Sequence, residues 1–150
     1  MTAKEYLNQI KILNKRIEQR ERERDSLISE AMCNSSPTLS LDKVQSSISG
    51  DPMGDKVVEI ADIMHEIGQL IIEMQLARHR IIGEIHTLNN AKHIELLYLH
   101  YVECRKLTEI ADIMRKSNGE PYSYDHIASM HGQALQEFDK IILKSHSNPK

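Results

Sequence analysis

Apolar side chains recur along this chain at helical spacing through most of its length, and breaks in the recurrence divide it into segments. In the first segment, Thr2-Ala-Lys-Glu5 forms a capping box in which each side chain satisfies the other's backbone N–H. It precedes a seam at Tyr6, Ile10, Leu13, Ile17, Arg20, Arg24, Leu27 and Ala31, predicting a helix over residues 2–31. The two arginines cover apolar surface with their stems while their heads reach water, so the seam weakens there. Periodicity stops over residues 33–54, where serine and proline dominate. Leu41, Val44 and Ile48 keep helical spacing, consistent with either a short helix at 40–47 or a loop that turns the chain around. Asp51-Pro52 ends this linker, with Asp51 placed as a cap and Pro52 as the first helical residue.

The strongest period follows. Val57, Ile60, Met64, Ile67, Ile71, Met74, Arg78, Ile81, Ile85 and Leu88 alternate steps of three and four, predicting a helix over 55–89. At 1.5 Å per residue it would be about 50 Å long. Leu70, Ile72 and Ile82 widen its apolar stripe beyond a two-stranded seam. More than one partner helix is therefore expected: the first helix folded back, and a second copy of the chain. Three shorter apolar sets come next, at Ile94, Leu97, Tyr98 and Tyr101; at Leu107, Ile110, Ala111 and Met114; and at Ile127, Met130, Ala134 and Phe138. Each set turns one helical face toward a shared core. The chain thus reads as all-α: a long antiparallel, coiled-coil-like helical hairpin over 1–90, then a three-helix helix-turn-helix unit over 91–150.

Within that last unit, Leu107-Thr-Glu-Ile-Ala-Asp-Ile-Met114 has the form of a first helix, with Thr108 able to cap and small Ala111 allowing a close crossing. Ser123, Ile127, Ala134 and Leu135 fall where a reading helix carries its cap and packing residues. This pattern resembles region 4 of sigma-70-type transcription factors. The whole chain resembles small phage and prophage proteins of Gram-positive bacteria that join a coiled-coil front to a sigma-region-4-like end. The likeness is carried by Asp42-Lys-Val-Gln-Ser-Ser47, Leu96-Leu-Tyr-Leu-His-Tyr101 with Val102-Glu103, Glu109-Ile-Ala-Asp-Ile-Met114, and Tyr122-Ser-Tyr124 with His131-Gly-Gln-Ala-Leu135. It implies double-stranded DNA as partner, control of phage genes, and RNA polymerase as a second candidate partner. Two departures from the family pattern stand out. Arg115-Lys-Ser-Asn-Gly-Glu-Pro121 intervenes before the tyrosine-serine pair, turning a tight turn into a loop. And residues 122–138 hold no lysine or arginine.

Charge sharpens the picture. Lys and Arg total 19 against 22 Asp and Glu, a net charge of −3. That balance argues against a general nucleic-acid coat protein but leaves a site-specific binder open. From residue 91 on, the two signs are equal at eight each. A DNA-binding face must then come from local placement of Arg105, Lys106, Arg115, Lys116 and Lys140. Assigned to bases are Tyr122, Ser123, Tyr124, Ser129 and Gln133; assigned to phosphates are Lys106, Arg115 and Lys116. Gln pairs bidentately with adenine, and an acidic residue such as Asp125 accepts from cytosine. The same side chains also suit an ordinary polar surface.

The remaining chemistry is sparse. His65, His79, His86, His93 and His100 share a heptad register, but residues seven apart lie about 10.5 Å apart on a helix, too far for one ligand shell. A solvated face is the simpler account. His131, between Ile127 and Leu135, reads as a packed histidine with one hydrogen bond. His65-Glu66 lacks the second histidine of a zinc-protease motif, and no glycine-rich phosphate loop or nucleophile elbow occurs. Neither an enzyme nor a metal or other cofactor is expected. Cys33 and Cys104 lie far apart, outside any Cys-x-x-Cys pair. No secretory signal is read at the N-terminus, and no apolar run nears the roughly 18–20 residues of a membrane span. A soluble, reduced, cytoplasmic protein is expected, with no membrane partner. The rival to a regulator is a structural or adaptor protein whose long helices recruit another protein.

Overall fold

The computed structural model describes residues 1–34 and 52–146, and every regular element among them is helical. The elements are α1 (Ala3–Leu7), α2 (Gln9–Asn34), α3 (Pro52–Ile85), α4 (Ala91–Leu97), a π-helical turn (Tyr98–Val102), α5 (Leu107–Ile113) and α6 (Tyr124–His146). The capping box forms as expected: Thr2 N–H donates to Glu5 Oε2 at 2.7 Å and Glu5 N–H to Thr2 Oγ1 at 3.3 Å. Asn8 then separates α1 from α2, where one helix is expected. Pro52 opens α3. The proposed Asp51 cap and the short helix at 40–47 lie outside the described residues. At the far end, α3 stops before residue 89, as Leu88 N–H bonds Ile85 O at 3.2 Å and Thr87 Oγ1 donates to Glu84 O at 2.6 Å. No described helix is long and apolar enough to cross a membrane.

The chain divides into two compact units, one of residues 1–13 with 73–150 and one of residues 14–72. One apolar core spans residue 90, joining Tyr6, Leu7 and Ile10 to Ile81, Ile85 and Leu88, and these to Leu97, Tyr101, Ala134 and Phe138. Asp139 Oδ1 also accepts from Ala3 N–H at 2.8 Å, tying α1 to α6. A second core within this unit holds Leu96, Ile110, Ala111, Met114, Tyr122, Ile127 and Met130. Both cores use α4 and α6. Leu96 and Ile127 face one, Leu97 and Phe138 the other.

In the unit of residues 14–72, α2 and α3 run antiparallel, since Arg20 pairs with Glu66 at 2.9 Å while Glu30 pairs with Lys56 at 3.6 Å. Arg20 also holds Glu23 at 2.7 Å. The α2 seam is as expected, with Ile17 buried and Arg20, Arg24, Leu27 and Ala31 half-buried. The α3 seam divides. Ile60, Ile67, Met74, Ile81, Ile85 and Leu88 do turn inward, but Val57, Met64 and Ile71 are 58%, 55% and 40% exposed. Ile63, Leu70 and Ala77 take the inward places instead. A helix this apolar supports two neighbouring 3-4 stripes, and α2 packs on only one of them.

Candidate nucleic-acid interface

The C-terminal elements grow from one another by local rules. Asn90 caps α4 by accepting Lys92 N–H on Oδ1 at 3.0 Å. The π-turn that follows adds a residue to the helical repeat, so Tyr101 and Val102 are both buried. α5 begins after Lys106, whose N–H is taken by Glu109 Oε2 at 3.1 Å. Thr108 lies inside the helix and is exposed, so it is not the cap.

The loop between α5 and α6 closes on itself. Arg115 and Pro121 form a β-bridge, Lys116 N–H donates to Glu120 O at 2.8 Å, and Gly119 N–H to Lys116 O at 2.9 Å. Asn118 Oδ1 accepts Glu120 N–H at 3.1 Å, and Gly119 sits at φ 84°, where a side chain would be strained. The segment is thus a small hairpin with Arg115 and Lys116 exposed on its first arm. Ser123 Oγ then accepts His126 N–H at 3.2 Å, capping α6 as expected.

The assigned base readers separate. Tyr122 is 7% exposed and packs in the core beside Ile127, so it does not face bases. Its hydroxyl meets Lys92 Nζ, and the ammonium groups of Lys92 and Lys116 lie 4.8 and 6.0 Å from its ring centre. Tyr122 is therefore a buried platform on which two lysines converge. Ser123 spends its hydroxyl on the helix cap. Ser129 and Gln133 are exposed and line an open cleft of about 490 Å³ with Asp125, His126, Asn90, Lys92 and His93. Tyr124, 52% exposed, stands five positions before Ser129 and so on a different edge of the helix. Lys106 is exposed at the start of α5; Arg105 pairs loosely with Glu103 at 3.7 Å, and Lys140 is exposed on the later turns of α6.

Lys92 was not among the residues assigned from sequence. It lies thirty positions before Tyr122, and only the packing of α4 on α6 brings them together. The histidine stripe also divides. His65, His79 and His86 are exposed, whereas His93 is buried and its Nδ1 meets Glu137 Oε2 at 2.5 Å. Glu137 Oε1 accepts Asn89 N–H at 3.1 Å. The hydrogen bond from His93 holds the Glu137 carboxyl below the usual carboxylate range. This clamp fixes the N-terminus of α4 against α6.

His131 is the packed histidine expected. Its Nε2 lies 3.0 Å from Tyr101 Oη, its ring stacks at 5.7 Å on Tyr101, and His100 meets it edge-on at 5.1 Å. Burial pulls its pKa down to about 4, with the charges of His100 and Lys4 adding to the effect. His100 Nδ1 sits 2.7 Å from the Arg105 carbonyl, which can only accept, so that nitrogen carries the proton. Among the described residues, no three His, Cys, Asp or Glu side chains gather as a metal site would require. Compared with known proteins, the chain matches no family model, no curated protein and no solved structure.

Proposed function

We propose that this chain is a non-enzymatic transcription regulator of phage or prophage type, acting in the cytoplasm and binding duplex DNA through α6 in a helix-turn-helix manner. The observation that carries the reading is the exposed face of α6 at Asp125, Ser129, Gln133 and Gln136, raised on a closed apolar core and carrying no lysine or arginine before Lys140. Two lysines from other elements, Lys92 and Lys116, flank it through Tyr122. In this reading Gln133 and Gln136 hydrogen-bond base edges in the major groove, and Asp125 selects cytosine. Lys92, Lys116, Arg115 and Lys106 meet phosphates on either side. The early turns of this face, which carry no cation, suit base edges, while affinity comes from neighbouring cations. The sequence resemblance adds RNA polymerase as a second partner for the same unit.

The test is selection of bound fragments from a random duplex library, followed by binding across a salt series. The expected result is one enriched sequence, with a salt slope that falls by about 0.9 for each phosphate contact removed in K92A, R115A or K116A. Q133A should relax preference at one base position at a cost of about 1–3 kcal/mol. No enriched sequence, together with no retention on heparin at low salt, would end this reading. The adaptor reading would then lead, favoured by the apolar side chains that α3 leaves in water.

A further inference from the structure

We infer that Lys92 and Lys116 hold a single phosphate group between them, beside the hydroxyl of Tyr122. The inference rests on the phosphate contacts of the reading above and deepens them, but its test begins without a duplex, so each can fail alone. Every residue it uses belongs to one compact unit.

The chain has already fixed the backbone that carries these groups. Lys92 is the second residue of α4, and its N–H is held by the Asn90 cap. Lys116 sits on the first arm of the hairpin, its N–H bonded to Glu120 O at 2.8 Å and its carbonyl to Gly119 N–H at 2.9 Å. Between them Tyr122 is buried in the core with Ile127 and Met130, which holds its ring in place. Lys92 Nζ donates to Tyr122 Oη. Lys116 Nζ stands 6.0 Å from the ring centre, and the His126 ring closes a further side at 4.9 Å.

The gathered groups are short of an acceptor. An ammonium has no lone pair to offer, so Tyr122 Oη accepts from Lys92 and keeps its own proton for another partner. Among the described residues nothing takes that proton, and neither lysine pairs with a carboxylate. Glu120 and Asp125, close in the chain, stay outside ion-pair distance of both. An oxyanion entering by the open cleft that Lys92 and His126 line supplies what is missing. It accepts from both ammonium groups and the hydroxyl at about 2.7–2.9 Å. Three donors from three separate segments suit the several oxygens of a tetrahedral phosphate. Lysine binds phosphate as a point charge, whereas a planar carboxylate is matched by the flat fork of arginine.

The experiment titrates the full chain with inorganic phosphate, ionic strength being held constant with sodium chloride. Binding is read by nuclear magnetic resonance at the backbone amides of residues 116, 122 and 126. One saturable transition is expected at all three. K92A and K116A should each weaken that same transition about tenfold, the loss of one charge-assisted hydrogen bond. Y122F, which keeps the ring in the core and removes only the hydroxyl, should weaken it with unchanged helical circular dichroism. K144A, at an exposed position near the end of α6, should leave it alone. No saturation, equally tight binding of acetate, an equal loss in K144A, or two transitions of which each lysine variant removes one would overturn the inference. A random-sequence duplex is then added to the phosphate-bound chain. Displacement of phosphate at residue 122 supports the site with the DNA backbone as its source. A duplex that leaves the phosphate in place supports the site with a free phosphate as its source, and counts against DNA contact there.

Discussion

His131 carries its proton poorly because its ring is packed between Tyr101 and His100, and this fixes the sign of an acid effect. Its value falls from 6.5 in the unfolded chain to about 4. Between those values the unfolded chain holds more protons than the folded one, so stability is complete above pH 6.5 and drains as pH falls toward 4. His100 is lowered too, chiefly by burial, and acts in the same direction. The Glu137 carboxyl, lowered by His93, contributes only further down, below its ordinary 4.5. The ring of His131 is half-buried, so the loss, discounted for solvent screening, is about 1–2 kcal/mol. Urea unfolding at pH 7 and pH 5 should show it in the wild type and a flatter profile in His131→Asn. At this scale the sequence was half legible. The Ser123 cap and the packed His131 follow from residue type and spacing. The burial of Tyr122 does not, because it depends on a hairpin that brings the chain back to Lys92.

α6 shows how one element serves two cores. Ile127 and Met130 on its early turns close the core with α5, and Ala134 and Phe138 on its later turns close the core with α1 and α3. Phe138 is fully buried, and Phe138→Ala should cost about 3–5 kcal/mol in chemical denaturation. Gln136→Ala, on the exposed face of the same helix, should stay within about 0.5 kcal/mol. Equal losses would contradict the assignment of faces. The helical spacing of Ile127, Met130, Ala134 and Phe138 made this face legible in advance. For α3 the same reasoning was ambiguous, since both the Val57–Met64–Ile71 and the Ile63–Leu70–Ala77 stripes satisfy the period. Which stripe faces inward was decided by α2.

For the molecule as a whole, burial is uneven. Among the described residues of 14–72 the buried apolar side chains are Ile17, Ile63 and Ile67, while α1, the end of α3, α4, α5 and α6 share two cores. Local opening follows buried apolar contact. Amide hydrogen exchange should therefore be slowest across residues 127–138 of α6 and much faster across residues 20–31 of α2, where arginines interrupt the seam. Similar protection in both stretches would refute this ranking.

Helical class, the caps at Thr2 and Ser123, and the apolar faces of the C-terminal helices belong to the sequence itself. Each depends on residues within a few turns of one another, and local spacing records such relations directly. Tertiary structure alone decided that α1 and the end of α3 share a core with α4 and α6, that Tyr122 turns inward, and that Lys92 and Lys116 converge on it. It also decided which stripe of α3 stays in water. Those relations join residues tens of positions apart, and periodicity along one helix says which side chains share a face but not what that face will meet.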